Sequence, residues 1–300
     1  MSSLADANDM KCAACGKGGD DLKACTACKL VKYCNASCQG GHWSKHKKEC
    51  KKRAAELKDE ALFKQPPPRE ECDICMLTLP IAVEERKYQP CCGKVLCYGC
   101  IRAAYMADNR RLCPFCRTPE ATSQGETLER IQKRAEIDDA EAIYSLGCLY
   151  KRGDMGLPQD YDRAMELWLR SGELGHAMSY SKIGTAYYNG QGAERDVKKA
   201  IHYYELAAMV GDECARHNLG CMEKDAGNNM SRATKHWMIA AGAGYDNSLT
   251  NIRACFMDGY ATKEDFEKAL RSHKEAKDEM RSDQREAATA ATSPDGILRM

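Results

Sequence analysis

The chain has 300 residues, 43% of them hydrophobic and 30% charged, with a formal net charge of +1. This is the composition of an ordinary globular protein with room for two or three compact units, and it excludes a chain disordered throughout. A charge so close to zero also argues against nucleic acid as a partner, because such binding depends on neutralising many phosphates.

No stretch approaches the roughly 18 consecutive apolar residues of a membrane span, and the N-terminal MSSLADANDM lacks the basic and apolar pattern of a secretory signal. The expected location is therefore the cytoplasm, the nucleus or both, away from membranes. In that setting the 19 cysteines read as metal ligands and not as disulfides. They cluster: seven between Cys12 and Cys50, eight between Cys72 and Cys116, and then only Cys148, Cys214, Cys221 and Cys255.

The first unit, residues 10–53, reads Cys12-x2-Cys15, Cys25-x2-Cys28, Cys34-x3-Cys38 and His46-x3-Cys50. Eight soft ligands in four pairs are what two tetrahedral zinc ions need. His46 and Cys50, at i and i+4, share one face of the helix predicted over HWSKHKKECKKR, and His42, one turn earlier, is the competing ligand. The segment, with KYCNASCQGGHWSKHKKEC, resembles a MYND finger. That resemblance implies interleaved sites, with Cys12, Cys15, Cys34 and Cys38 on one ion and Cys25, Cys28, His46 and Cys50 on the other. It also implies docking of short, often proline-containing partner peptides. The basic run KHKKECKKR reads as the solvated face of the helix, with a nuclear signal as the alternative.

Residues 54–71 hold good helix formers and then QPPPREE, where Pro66, Pro67 and Pro68 stop any helix and mark a boundary. The second unit, residues 72–117, offers Cys72-x2-Cys75, Cys91 with Cys92, Cys97-x2-Cys100 and Cys113-x2-Cys116, again eight thiols for two zinc sites. It resembles an all-cysteine variant of a RING-type finger. Lys94 stands at the usual histidine position and cannot replace it, since an ammonium has no lone pair, but Cys91 and Cys92 together restore the ligand count if Pro90 and Gly93 turn the chain tightly. One zinc and an idle cysteine is the alternative. The resemblance implies Cys72, Cys75, Cys97 and Cys100 on one ion and Cys91, Cys92, Cys113 and Cys116 on the other, four zinc ions for the chain. About 50 residues make too small a core to fold alone, so metal is expected to fold this unit.

Four-thiolate sites are closed to water, which excludes zinc-activated hydrolysis. The resemblance implies instead that the unit holds a ubiquitin-conjugating enzyme charged with ubiquitin and positions its thioester for attack. The residues matching that docking surface are Ile74, Tyr105, Pro114, Phe115 and Arg117; each could otherwise be ordinary core or surface.

Residues 118–134 read as a linker, helical spacing begins at about 127, and residues 135–288 repeat. Leu146-Gly147, Ile183-Gly184 and Leu219-Gly220 return 37 and 36 residues apart. Ala164, Ala200, Ala233 and Ala269 open the second helix of each unit, and Trp168, Tyr204 and Trp237 follow one turn later. A period in the mid-thirties means stacked helix pairs. These landmarks resemble Sel-1-like repeats, relatives of the tetratricopeptide repeat, with a shortened loop in the third unit and Arg253 replacing the glycine in the fourth. The aromatic residues and the four scattered cysteines read as core, the array's surface as a protein-binding one, and residues 289–300 as a flexible tail.

The expected architecture is thus two small zinc-stabilised domains followed by an all-α repeat solenoid. Its expected function is either a ubiquitin ligase or a non-catalytic scaffold. A lysine methyltransferase, which some MYND proteins are, has no segment left for its catalytic domain.

Overall fold

The computed structural model describes residues 11–292 apart from Asn109 and Asn228, and the chain divides into two units, Met1–Lys64 and Gln65–Met300. In the first, β1 (Lys23–Ala24) pairs antiparallel with β2 (Lys32–Tyr33), and α1 (Ala36–Leu62) follows. Asn35 caps α1 by accepting from the Cys38 amide at 2.9 Å. The predicted ligand helix and the helix formers after it are one continuous element. Past Cys50 it is held by its own surface pairs, Arg53 to Glu56 at 3.1 Å and to Glu60 at 2.8 Å, until the chain reaches the prolines.

The second unit begins with the other cysteine block. β3 (Arg86–Gln89) and β4 (Lys94–Cys97) form an antiparallel hairpin with Gln89 opposite Lys94, and α2 (Tyr98–Ala107) leaves β4 directly. Helices then follow one another through the described residues: α3 (Gln124–Glu136), α4 (Ala140–Arg152), α5 (Tyr161–Glu173), α6 (Ala177–Asn189), α7 (Val197–Val210), α8 (Glu213–Gly227), α9 (Met230–Gly242), α10 (Asp246–Met257), α11 (Lys263–Glu279) and α12 (Asp283–Thr292). None among the described residues is long and apolar enough to cross a membrane.

The repeat landmarks meet in space. A Cβ on Gly147 would stand 2.7 Å from Trp168 Nε1, on Gly184 2.8 Å from Tyr204 Cδ1, and on Gly220 2.5 Å from Trp237 Nε1. The glycine of each first helix is therefore the socket for the aromatic of its second. Ala164, Ala200, Ala233 and Ala269 are all fully buried, since nothing larger fits where the paired helices cross. The turn glycines Gly153 and Gly190 take the left-handed conformation that ends α4 and α6.

Three expectations are corrected. The linker expected at 118–134 is largely α3, capped by Ser123, with Leu128, Ile131 and Ala135 packed on Ile143 and Leu146 of α4. The helical spacing read from about 127 thus starts earlier, at Gln124, and belongs to the helix array. The tail expected from 289 begins inside α12, and residues 293–300 lie outside the described residues. Of the four scattered cysteines Cys255 is buried and Cys148 and Cys221 half-buried, but Cys214 is exposed in the first turn of α8.

His236, on α9, has no exposed surface; burial first, then Arg216 and Arg232, lowers its pKa to about 3. The folded chain keeps it neutral while the unfolded chain takes a proton below about pH 6.5, so its stability contribution is whole above that pH and is lost as pH falls. Between pH 7 and pH 5 wild type should lose about 2 kcal/mol more than His236→Gln. Paired urea melts at the two pH values check this; equal losses would refute it.

Candidate metal centres

Four CxxC pairs turn the same way. After Cys15, Cys28, Cys75 and Cys116 the next residue, Gly16, Lys29, Met76 or Arg117, is left-handed, with φ between 57° and 71°. Its amide bonds back to the carbonyl of the first cysteine at 2.8 to 2.9 Å. The turn leaves several backbone N–H groups facing the thiols, and three non-glycine residues accept a backbone cost of about 1 kcal/mol each to make it.

These turns assemble the four clusters expected: Cys12, Cys15, Cys34, Cys38; Cys25, Cys28, His46, Cys50; Cys72, Cys75, Cys97, Cys100; and Cys91, Cys92, Cys113, Cys116. Within each, the ligand atoms lie within 4.8 Å of one another. A tetrahedral zinc at about 2.3 Å from each sulfur spaces its thiolates about 3.8 Å apart. Cys15 to Cys34 is 3.7 Å, Cys25 to Cys50 3.7 Å, Cys75 to Cys97 3.8 Å and Cys92 to Cys113 3.9 Å. The four clusters fit four zinc sites.

Of the two histidines, His46 is the one that joins a cluster. It is buried, with Nε2 3.2 Å from Cys28 Sγ, whereas His42 Nδ1 lies 3.1 Å from the Tyr33 hydroxyl. Neighbouring thiols in these clusters differ in acidity. The Cys15 backbone amide leads in drawing Cys12 down to about 6, while the neighbouring Cys34 thiol pushes Cys38 up to about 12 and burial pushes Cys92 up to about 11. Four adjacent thiols cannot all ionise without a positive ion between them.

Cys91 and Cys92 sit in the turn of the β3–β4 hairpin, where the Gly93 amide bonds Gln89 O at 2.8 Å and Gly93 takes φ of 74°. Both sulfurs thereby reach one cluster. Cys97 serves twice: its sulfur also accepts from the Cys100 amide at 3.4 Å and so caps α2. Lys94 points away from the thiols. Its Nζ bonds Asp73 Oδ1 at 2.9 Å and stands 5.4 Å from the centroid of the Phe115 ring, tying the first zinc loop to the last.

That tie lies beside the predicted docking residues. Ile74 is 41% exposed and Phe115 44%, with Pro114 half-buried between the last two cysteines. Arg117 is exposed, and its guanidinium pairs with Asp108 Oδ2 at 3.2 Å. Tyr105 turns the other way, packing on the unit's core and donating to Glu120 Oε1 at 3.3 Å. The sequence reading missed Asp73, Asp108 and Glu120, for which spacing carries no signal.

The second cysteine block is also joined to the helices. Tyr88 donates to Asp139 Oδ2 at 2.9 Å, Arg134 donates to the Cys92 carbonyl at 3.3 Å, and Arg69, after the prolines, pairs with Glu213 of α8 at 2.9 Å. The edge of the array near the starts of α4, α6 and α8 is thus partly filled by the chain's own preceding segment.

Family models for the MYND finger match residues 12–50, and those for the Sel1 repeat match 140–176 and 177–212. The chain carries a MYND finger and Sel1 repeats. The second zinc unit lies between the matched stretches. Chitin synthase regulator SKT5 of Saccharomyces cerevisiae is 29% identical over 50% of this chain and 22% of its own length. HRD3B of Arabidopsis thaliana, named an ERAD-associated E3 ubiquitin-protein ligase component, is 41% identical over 21% of this chain and 11% of its own. The human histone-lysine N-methyltransferase SMYD3 is 45% identical over 13% and 9%. The chain therefore spans less than a quarter of these relatives. A solved Sel1 repeat protein from Oxalobacter formigenes is 28% identical over 51% of this chain and 64% of its own, with a TM-score of 0.45. MYND finger and Sel1 repeats imply protein-interaction roles.

Proposed function

We propose that the chain is a ubiquitin ligase in which the second, RING-like zinc unit docks a charged ubiquitin-conjugating enzyme, while the MYND finger and repeats hold other proteins. The observation that carries this is the exposed pair Ile74 and Phe115 on two zinc loops, with Lys94 bridging the loops and Arg117 on the left-handed turn beside them. An apolar pair held by two metal sites is preorganised, so docking costs little ordering. The chemistry asked of the unit is positioning: it bears no nucleophile, and its closed sites offer no water. A place for such repeats in ligases agrees with the Arabidopsis relative named as a ligase component.

Discharge of ubiquitin from charged enzymes by the zinc-loaded full chain tests this and separates two roles. Ile74→Ala should weaken docking about 10-fold, by the loss of a buried apolar contact, with the maximal rate kept. Arg117→Ala should lower the maximal rate with docking little changed. Variants that keep all four zinc ions and discharge like wild type would leave the surface without this function and favour a scaffold.

A further inference from the structure

Arg285, on α12, reaches the first zinc loop of the RING-like unit from the far end of the chain. It is 8% exposed. Nη1 donates to Thr78 O at 2.6 Å and to Met280 O at 2.7 Å; Nη2 donates to Leu77 O at 3.2 Å and lies 3.4 Å from Cys75 Sγ. The approach is fixed from the other side by Gly99 of α2, where a Cβ would stand 2.8 Å from the Arg285 backbone nitrogen. Gly99 is the one α2 residue without a side chain, and α12 lies against it.

A zinc ion with four thiolates carries a net charge of −2, and burying it is costly unless that charge is met. Here a buried guanidinium, held in place by three carbonyls, directs an N–H at one of the four sulfurs. We propose that Arg285 is the cationic outer partner of the zinc site formed by Cys72, Cys75, Cys97 and Cys100, so that this site is completed by α12. Such a bond removes charge from the thiolate and fixes its direction, which slows the sulfur's release from the metal. The inference rests on the zinc clusters alone and is independent of ligase activity. It also makes the RING-like unit incomplete when cut from the helices.

The test is zinc release from the full chain into a chromophoric chelator, comparing wild type, Arg285→Lys and Arg285→Met, with mass spectrometry of alkylated cysteines to show which cluster opens. One zinc of the four should leave about 10- to 100-fold faster in Arg285→Met, with Arg285→Lys between it and wild type, and Cys72, Cys75, Cys97 and Cys100 should be alkylated first. Arg285→Met keeps the apolar stem of the side chain and removes every donor, so a purely packing role predicts that it retains zinc at least as well as Arg285→Lys. That order, release at the wild-type rate, or simultaneous alkylation of all eight cysteines of the unit would each overturn the proposal.

Discussion

Cys92→Ala is expected to reduce the zinc content of the purified chain from four ions to three and to loosen the second zinc unit. Cys91, Cys113 and Cys116 then face a metal with one position unfilled. Metal binding in units this small supplies roughly 10–16 kcal/mol of apparent folding free energy, so a site with one thiolate missing loses much of its hold on the fold. The damage should spread along the hairpin to the helices, because the Cys92 carbonyl receives Arg134 and Tyr88 of β3 donates to Asp139. Native mass spectrometry gives the count, and Cys148→Ala, which removes a thiol outside the clusters, should keep all four. A Cys92→Ala chain with four zinc ions would show Cys92 to be the idle member of its pair.

Trp237→Ala should cost about 3–5 kcal/mol, the usual range for emptying a large aromatic site. Trp237 is 2% exposed and packs with Ala233, Ile252, Cys255, Ala261 and Ala269, and its Nε1 donates to His217 O at 3.2 Å. The cavity would open between α8 and α9 and reach α10 and α11, and stacked repeats lose neighbour contacts as well as their own. Filling the same socket from the opposite side, Gly220→Val, should cost about 1–3 kcal/mol by overpacking. Trp43→Ala in the other unit, where the ring is 41% exposed, should stay within about 0.5 kcal/mol. Urea unfolding of the zinc-loaded chain measures all three, and a Trp237→Ala cost no larger than that of Trp43→Ala would refute the packing assignment.

What the sequence made legible follows from how local each signal is. CxxC pairs act within four residues, so spacing brought out the cysteine pairs, the resemblances implied which pairs share an ion, and Cys91 and Cys92 could be assigned to a turn because Pro90 and Gly93 flank them. The repeat was legible for a similar reason: Gly147 and Trp168 sit in one helix pair, so their match recurs with the period. Helical spacing was legible from about 127, but the first turn of α3 was left in the linker because one apolar face of three residues, among eight charged or amide side chains in QGETLERIQKRAE, looks polar when averaged. Arg285 was beyond reach: its partners Leu77, Thr78 and Cys75 lie more than 200 residues away, and nothing in REAATAAT marks a zinc neighbour. Tyr105 was placed correctly on the helix after Cys100, but the side it faces depends on Glu120, which spacing cannot show.

The measurement closest to the central claim is ubiquitin discharge from a broad panel of charged conjugating enzymes by the full chain loaded with four zinc ions. The full chain is required because the fragment holding only the second zinc unit lacks Arg134 and Arg285. Stimulated transfer with at least one enzyme, lost when zinc is chelated, is the predicted result. Spontaneous rates with every enzyme, from a chain shown to carry four zinc ions, would contradict it and leave two zinc units and a helix array that only bind.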